Sequence, residues 1–271
     1  MTKAELEDVL YEVRRGVAWI TINRPHRYNA FRAQTVDQLI ACFKRAWADA
    51  DVGAIVLTGA GEKSFCTGGD VKERAETGSY GTPEWGVFDI QGLHRVIRDV
   101  PKPVIAAVNG YAIGGGHVLH VLCDLTIASE NAKFGQAGPR VGSFDAGFGA
   151  AYLARVVGEK RAREIWFLLD QYDAHTAERW GLVNRVVPLE QLHDAAQEWG
   201  EKIASYSPTA LRFMKTAFNA DTEHIAGLSR LAYSGLDVFT QTDEAHEGSA
   251  AFAEKRQPDF SRFRAAEFRQ G

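Results

Sequence analysis

Cysteine is scarce in this chain of 271 residues: Cys42, Cys66 and Cys123 are all there is. The number is odd and the spacing lacks the close pairs that a metal centre needs, so a disulfide scaffold and a bound metal are not expected. A reducing, cytoplasmic setting is. No apolar run approaches the length that crosses a bilayer. The opening residues, Met1-Thr2-Lys3-Ala4-Glu5, carry charge where a secretory signal needs an apolar core, so no targeting segment or membrane partner is expected. Basic excess is missing too: 31 Lys and Arg face 35 Asp and Glu, leaving a net charge of −4. General nucleic-acid binding lacks its electrostatic footprint. The densest basic cluster, Lys160-Arg161-Ala162-Arg163, opens an amphipathic stretch and reads as a solvated face.

What remains is an ordinary globular composition, 45 % apolar and 24 % charged, in a chain longer than one typical domain. Val17 to Ile22 and Ala54 to Thr58 are short β-branched runs, the second continuous enough for a strand buried on both faces. Between them, Val36, Leu39, Ile40, Phe43 and Trp47 recur at helical spacing from Ala33 to Ala50. The alternation continues with a helix around Leu93 to Arg98, a strand at Val104 to Val108, a helix from about Gly115 and a strand at Leu125 to Ala128. Pro101 and Pro103 separate helix from strand. This pattern predicts an α/β fold with a mainly parallel sheet. Beyond Ala150 helical patterns dominate, at Arg161 to Leu169, Leu189 to Ala204, Thr209 to Phe218 and Ala226 to Phe239, with one short strand at Leu182 to Val187. Val71 to Gly86 has little periodicity and reads as a mobile loop or a substrate lid.

Two glycine-rich stretches stand out. Gly110-Tyr111-Ala112-Ile113-Gly114-Gly115-Gly116-His117 follows an apolar strand and precedes a helix, and Phe65-Cys66-Thr67-Gly68-Gly69-Asp70 follows another strand. Their backbone N–H groups could converge on a developing negative charge. The same glycines could instead cradle a nucleotide phosphate or simply permit close packing, although Walker and dinucleotide-binding spacings are absent. Cys66 and Cys123 read as small packing residues. His117 and His120, three apart on the helix, read as packing or hydrogen-bonding residues rather than metal ligands. Further on, Val141-Gly142-Ser143-Phe144-Asp145-Ala146-Gly147 puts a hydroxyl and a carboxylate into a turn. There Asp145 is either a helix cap or a group that shuttles protons beside a Ser143 hydrogen bond.

Taken together with Asn23-Arg24-Pro25, Asn29-Ala30-Phe31, Cys123-Asp124, Phe134-Gly135-Gln136 and Gly181-Leu182-Val183, these stretches make the whole chain resemble the enoyl-CoA hydratase/isomerase (crotonase) superfamily. The resemblance implies a ClpP-like spiral of ββα units over residues 1–200 and a C-terminal helical trimerisation region over residues 201–271. It also implies a homotrimer or homohexamer, and an acyl-CoA thioester substrate. Coenzyme A then comes as part of the substrate and no tightly bound cofactor is needed. The backbone N–H groups of Gly69 and Gly115 are implied as the oxyanion hole. Arg27, Ala30 and Thr67, with Phe252 and Lys255 from the C-terminal region, are implied around the coenzyme A moiety.

The acid/base residues decide the reaction, since one enolate-holding site serves many chemistries. Enoyl-CoA hydratases carry two glutamates where this chain has Val118 and Gly138, so two-glutamate hydration is not expected. Gly116 to His120, Gly135 to Pro139 and Gly142 to Asp145 resemble 1,4-dihydroxy-2-naphthoyl-CoA synthase, as do Ala162 to Trp166, Gln171 to Ala174 and Glu254 to Phe260. That enzyme closes a ring of o-succinylbenzoyl-CoA by an intramolecular Claisen condensation in menaquinone biosynthesis. The match implies Ser143 and Asp145 as active-site residues, Tyr80 as a tyrosine over the substrate, and a bicarbonate held by Gln136 near Gly138. Thr240 stands where the synthase has a C-terminal tyrosine, and Phe148 where the bicarbonate-dependent branch often has tryptophan. Ile97 to Pro103, Phe65 to Asp70 and Ser207 to Leu211 resemble 2-ketocyclohexanecarboxyl-CoA hydrolase, which opens a ring by the reverse bond logic. Thr240 also admits a reading from another class, an acyl-CoA-binding homologue with reduced catalysis.

Overall fold

The computed structural model describes residues 6–84 and 86–264. β1 (Val9–Arg14) and β2 (Val17–Ile22) form an antiparallel hairpin across Arg15 and Gly16, both with positive φ (44° and 79°). α1 (Ala33–Ala48) leads to β3 (Ala54–Gly59), and the chain then turns into β4 (Ser64–Cys66) of a second sheet before α2 (Val71–Thr77) and α3 (Ile90–Asp99). The same strand, strand, helix unit recurs as β5 (Val104–Val108), β6 (Tyr111–Ile113) and α4 (Gly115–Leu122). It recurs again as β7 (Leu125–Ser129) and β8 (Lys133–Gly135), followed after a loop by α5 (Leu153–Val157) and α6 (Glu159–Leu168). β9 (Tyr172–Asp173), α7 (Ala174–Arg179) and β10 (Arg185–Val187) complete the sheets, and α8 (Leu192–Ala204), α9 (Pro208–Ala220), α10 (His224–Phe239) and α11 (Asp243–Ala253) follow.

The larger sheet runs β1-β2-β3-β5-β7-β10 and the smaller β4-β6-β8-β9, so successive units deposit one strand in each. Apart from the β1–β2 and β8–β9 pairs, every pairing is parallel. This is the expected ββα spiral with C-terminal helices. Every residue of β3 and β5 is buried, because both faces of the large sheet are covered. Trp19, Val56, Ile105 and Ile127 pack beneath Leu192, Ala195 and Ala196 of α8, where the Trp19 indole N–H also donates to Gln197 Oε1 at 2.7 Å. Ile20, Leu57, Phe65, Leu93 and Phe134 fill the other side, each worth roughly 1.5–3 kcal/mol when removed from water.

One side chain ties the units together where the site will form. Asn109, just after β5, donates through Nδ2 to the carbonyl oxygens of Gly59 (2.8 Å) and Gly61 (2.5 Å). A Cβ at Gly110 would sit 2.2 Å from Lys63 O, so only glycine lets β6 start beside β4. The parallel register, Ser64 with Tyr111 and Cys66 with Ala112, then sends the loops after β4 and β6 out at one edge.

Three expectations change. Val71 to Gly86 is not all loop: α2 occupies its first half, capped by Asp70 Oδ1 accepting the Glu73 N–H (3.1 Å) and closed by Gly78 at φ 78°. A two-turn helix is too short for periodicity to show, although Asp70 and Gly78 are its end signals. Trp85 lies outside the described residues. The strand expected over Leu182 to Val187 shrinks to Arg185–Val187, because the Leu182 N–H closes the end of α7 on Ala177 O (2.9 Å). Finally, Gly110 to His117 does not run straight from strand to helix, since β6 intervenes. Among the described residues no helix is long and apolar enough to cross a membrane.

Candidate active site

Gly68 (φ +85°) and Gly114 (φ +57°) each take a conformation that side chains rarely allow, and each immediately precedes a glycine that lines the same cavity. The first loop is held by Phe31, whose N–H donates to Gly68 O (2.8 Å) and whose carbonyl accepts from Asp70 N (2.9 Å). Gly69 lies between these two bonds, and among the described residues its own N–H has no acceptor. Gly115 is the first residue of α4, where an amide has no intrahelical acceptor, and it finds none elsewhere among the described residues. The helix N-terminus adds partial positive charge there. A Cβ at Gly68 would come within 2.8 Å of Gly115 N, so the loops are in contact.

The glycine triplet divides its tasks. Gly114 makes the turn, Gly115 brings its N–H to the cavity, and Gly116 permits packing, since a Cβ there would lie 1.9 Å from Cys66 O. Gly69 and Gly115 also lack room for a side chain, with Tyr80 Cε1 2.6 Å and Phe31 Cζ 2.7 Å from the respective Cβ positions. Beneath the loops the buried Arg24 guanidinium pairs with Asp70 (3.0 Å) and reaches Asp8 (3.6 Å) and Glu73 (3.5 Å). It also donates to Ala30 O. That network anchors the residue next to Gly69. Burial pushes the Cys66 thiol up to about 12, which leaves it protonated and unsuited to nucleophilic attack.

Gly69 and Gly115 both line a cavity of about 660 Å³. Its wall carries Val118, Phe88, Trp166 and Asp145. Asp145 Oδ1 accepts the Gly147 N–H (2.9 Å) at the head of the following wide helical turn. The N-cap of that turn is Ala146, which makes no side-chain cap bond, so Asp145 is not the cap itself; it holds the first amide from one residue ahead and also lines the cavity. Burial raises its pKa above the ordinary aspartate value, against backbone hydrogen bonds from Gly149 and Gly147 and a side-chain bond from Tyr233 that lower it. Tyr233, on α10, sets its hydroxyl 3.5 Å from Asp145 Oδ2 and lines the cavity as well. Sequence reasoning missed Tyr233, because nothing near it in the chain marks it. Thr240 instead turns its hydroxyl back to Asp237 O (3.0 Å) and is not part of the cavity wall.

Gly138 is a contact point. Its carbonyl accepts the Ser143 N–H (2.9 Å), and a Cβ there would meet Ser143 O at 2.6 Å and the Trp166 ring at 3.2 Å. A side chain at position 138 therefore has no room unless the Ser143 backbone shifts, while Gln136, Gly138, Ser143 and Trp166 all border the open cavity. Gln136 lines the cavity with its amide against His117 Nδ1 (3.4 Å). His117 and His120 are fully buried, the latter against Thr126 Oγ1 (3.3 Å). Their desolvation lowers His117 to about 3 and His120 well below the ordinary range, so both stay neutral.

At the mouth Arg27, Lys72 and Arg74 supply positive charge beside Ala30 and Thr67, a setting for phosphate groups. The match to the enoyl-CoA hydratase/isomerase family covers residues 12–263. The chain belongs to that family. Solved structures agree: a carnitinyl-CoA hydratase from Mycobacterium avium is 33% identical over 94% of this chain and 98% of its own, with a TM-score of 0.80. An enoyl-CoA hydratase from Bacillus anthracis is 34% identical over 93% and 98%, TM-score 0.73. Another from Mycobacterium avium subsp. paratuberculosis K-10 is 28% identical over 94% and 99%, TM-score 0.83.

Against the expectations for an enoyl-CoA hydratase/isomerase, the cavity gathers Gly69, Gly115, Ser143, Asp145 and Tyr80. It also gathers Arg27, Ala30, Thr67, Gln136, Gly138 and Phe252. Lys255 is the exception: it lies exposed just after α11 and does not line the cavity. Tyr80 stacks on Phe88 with ring centroids 4.9 Å apart, over Gly69, which puts an aromatic cover on one amide.

Proposed function

We propose that this enzyme opens the ring of a cyclic β-keto acyl-CoA, such as 2-ketocyclohexanecarboxyl-CoA, by hydrolysing a carbon–carbon bond through a thioester enolate. The observation that carries the reading is the deep Asp145 carboxyl on the cavity wall, with Val118 and Gly138 at the positions of the two hydratase glutamates. Adding water across an alkene by that route needs two carboxyl groups, whereas ring opening needs one that takes and returns a proton. Asp145 accepts a proton from water as the oxygen adds to the ring ketone carbon. The bond from that carbon to the α carbon breaks, and its electron pair passes into the thioester carbonyl. The Gly69 and Gly115 N–H groups hold the resulting enolate oxygen. Asp145 returns the proton to the α carbon, leaving an open-chain acyl-CoA with a terminal carboxyl group; one water is consumed.

The second reading is the naphthoyl-CoA synthase reaction, supported by the Gly142 to Asp145 motif. It uses the same enolate in the opposite sense: after loss of an α proton the enolate attacks the aryl carboxyl carbon and water is lost. Incubation with 2-ketocyclohexanecarboxyl-CoA, followed by mass spectrometry for a product heavier by one water, tests the first reading. Ring closure of o-succinylbenzoyl-CoA, with and without bicarbonate, tests the second. Tight binding of both thioesters without turnover supports the acyl-CoA-binding homologue instead.

We further propose a homotrimer, or a dimer of trimers, built on the C-terminal helices. α9 and α10 expose Phe213 (65%), Phe218 (72%), Leu231 (70%) and Val238 (71%). So many large apolar side chains on two adjacent elements are the mark of an interaction surface.

A further inference from the structure

Beside the backbone bonds it accepts from Gly147 and Gly149, Asp145 has one side-chain partner, Tyr233. Oδ1 takes the Gly147 N–H at 2.9 Å, and Oδ2 faces the Tyr233 hydroxyl at 3.5 Å, the long end of hydrogen-bond reach. Tyr233 is placed by a backbone contact rather than by its own packing alone. A Cβ at Gly147 would lie 2.5 Å from Ser229 Cα, so α10 is seated directly on the turn whose first amide Asp145 holds. Ser229 and Tyr233 are four residues apart, on one face of α10. Leu236, three further on, lines the same cavity. The phenol is therefore aimed by the fold of its own chain.

We propose that Tyr233 is the positioning residue of Asp145: its phenol holds Oδ2 while the Gly147 amide holds Oδ1, so that the carboxylate keeps one orientation toward the substrate. This rests on the reading of Asp145 as the proton acceptor. The other titratable groups facing the pair are His94 of α3, whose ring lies 6.1 Å from that of Tyr233, and Tyr80 ahead of α3. Burial drives His94 down to about 3, so it brings no charge. Burial and the neighbouring Asp145 charge hold the Tyr233 phenol well above its ordinary value, so it stays a donor across the working range. A donated hydrogen bond favours the ionised form of Asp145 and partly offsets its desolvation.

The test is Tyr233→Phe, which keeps the ring and its packing. Losing one hydrogen bond to a charged acceptor should lower kcat by about ten- to a hundredfold with KM changed less than about threefold. The acidic limb of the kcat profile should move to higher pH. In the Asp145→Asn background the same substitution should cost nothing further. Infrared difference titration of the carboxyl band, with Asp145→Asn as the blank, reads the same shift in the protein without substrate. An unmoved Asp145 midpoint in Tyr233→Phe overturns the proposal. If the wild type turns over neither thioester, the ring-opening reading fails, while the infrared midpoint still decides the role of Tyr233.

Discussion

Adding one methyl group at Gly138 tests the packing of the turn that leads into Ser143 and Asp145. In Gly138→Ala the new Cβ lies 2.6 Å from Ser143 O and 3.1 Å from Ser143 C, with Trp166 Cζ3 at 3.2 Å. The nearest obstacle is backbone, so no side chain can swing away to make room. Overpacking of this kind costs about 1–3 kcal/mol. The Ser143 N–H to Gly138 O bond is strained by the same shift, at about 1 kcal/mol more. The entropy gained by replacing glycine, about 0.4–1 kcal/mol, offsets only part of this. A net loss of about 1–3 kcal/mol corresponds to a melting temperature lower by roughly 2–12 °C for a chain of this size. The displaced segment leads into Ser143 and Asp145, so kcat should fall about ten- to a hundredfold. Thermal melting by calorimetry and steady-state turnover are the measurements. A variant that melts and turns over like the wild type would falsify the claim that this space is filled.

Four further outcomes are expected. Asp145→Asn should reduce turnover by about 10²–10⁴-fold while leaving acyl-CoA binding in place; near-normal rates would remove Asp145 from the chemistry. The folded protein binds the Asp145 proton more tightly than the unfolded chain, so ionising it costs stability as pH rises through its raised range. The melting temperature of Asp145→Asn relative to wild type should accordingly increase between pH 4 and pH 8, and a constant difference contradicts the burial argument. Lys215→Met should destabilise by about 3 kcal/mol, since the buried ammonium of α9 donates to Asp124 Oδ2 (2.7 Å), Ile97 O (3.0 Å) and Lys102 O (3.1 Å); denaturant titration reads it, and an unchanged midpoint refutes that anchor. Leu231→Asp, on the exposed face of α10, should yield smaller particles in light scattering, and an unaltered assembly would place the interface elsewhere.

Much of this fold was legible because its main elements satisfy local rules. Val17 to Ile22 and Val104 to Val108 coincide with β2 and β5, since continuous apolar runs bounded by turn residues have few other fates. Helices α1, α8, α9 and α10 carry their apolar residues at helical spacing and were expected within a few residues of where they lie. The small sheet was not legible: β4, β6 and β8 have three residues each, too few for any period to register. They exist because their neighbours align them.

By itself the sequence determined which glycines could turn the chain, which residues were apolar at the two hydratase positions, and that a serine and an aspartate shared one turn. It could not say that Gly115 faces a cavity while Gly116 meets Cys66 O, because adjacent glycines look alike until a neighbouring strand fills one side. Nor could it pair Asp145 with Tyr233, which is 88 residues away. That contact depends on α10 packing against Gly147, and packing between distant segments leaves no local trace in either one.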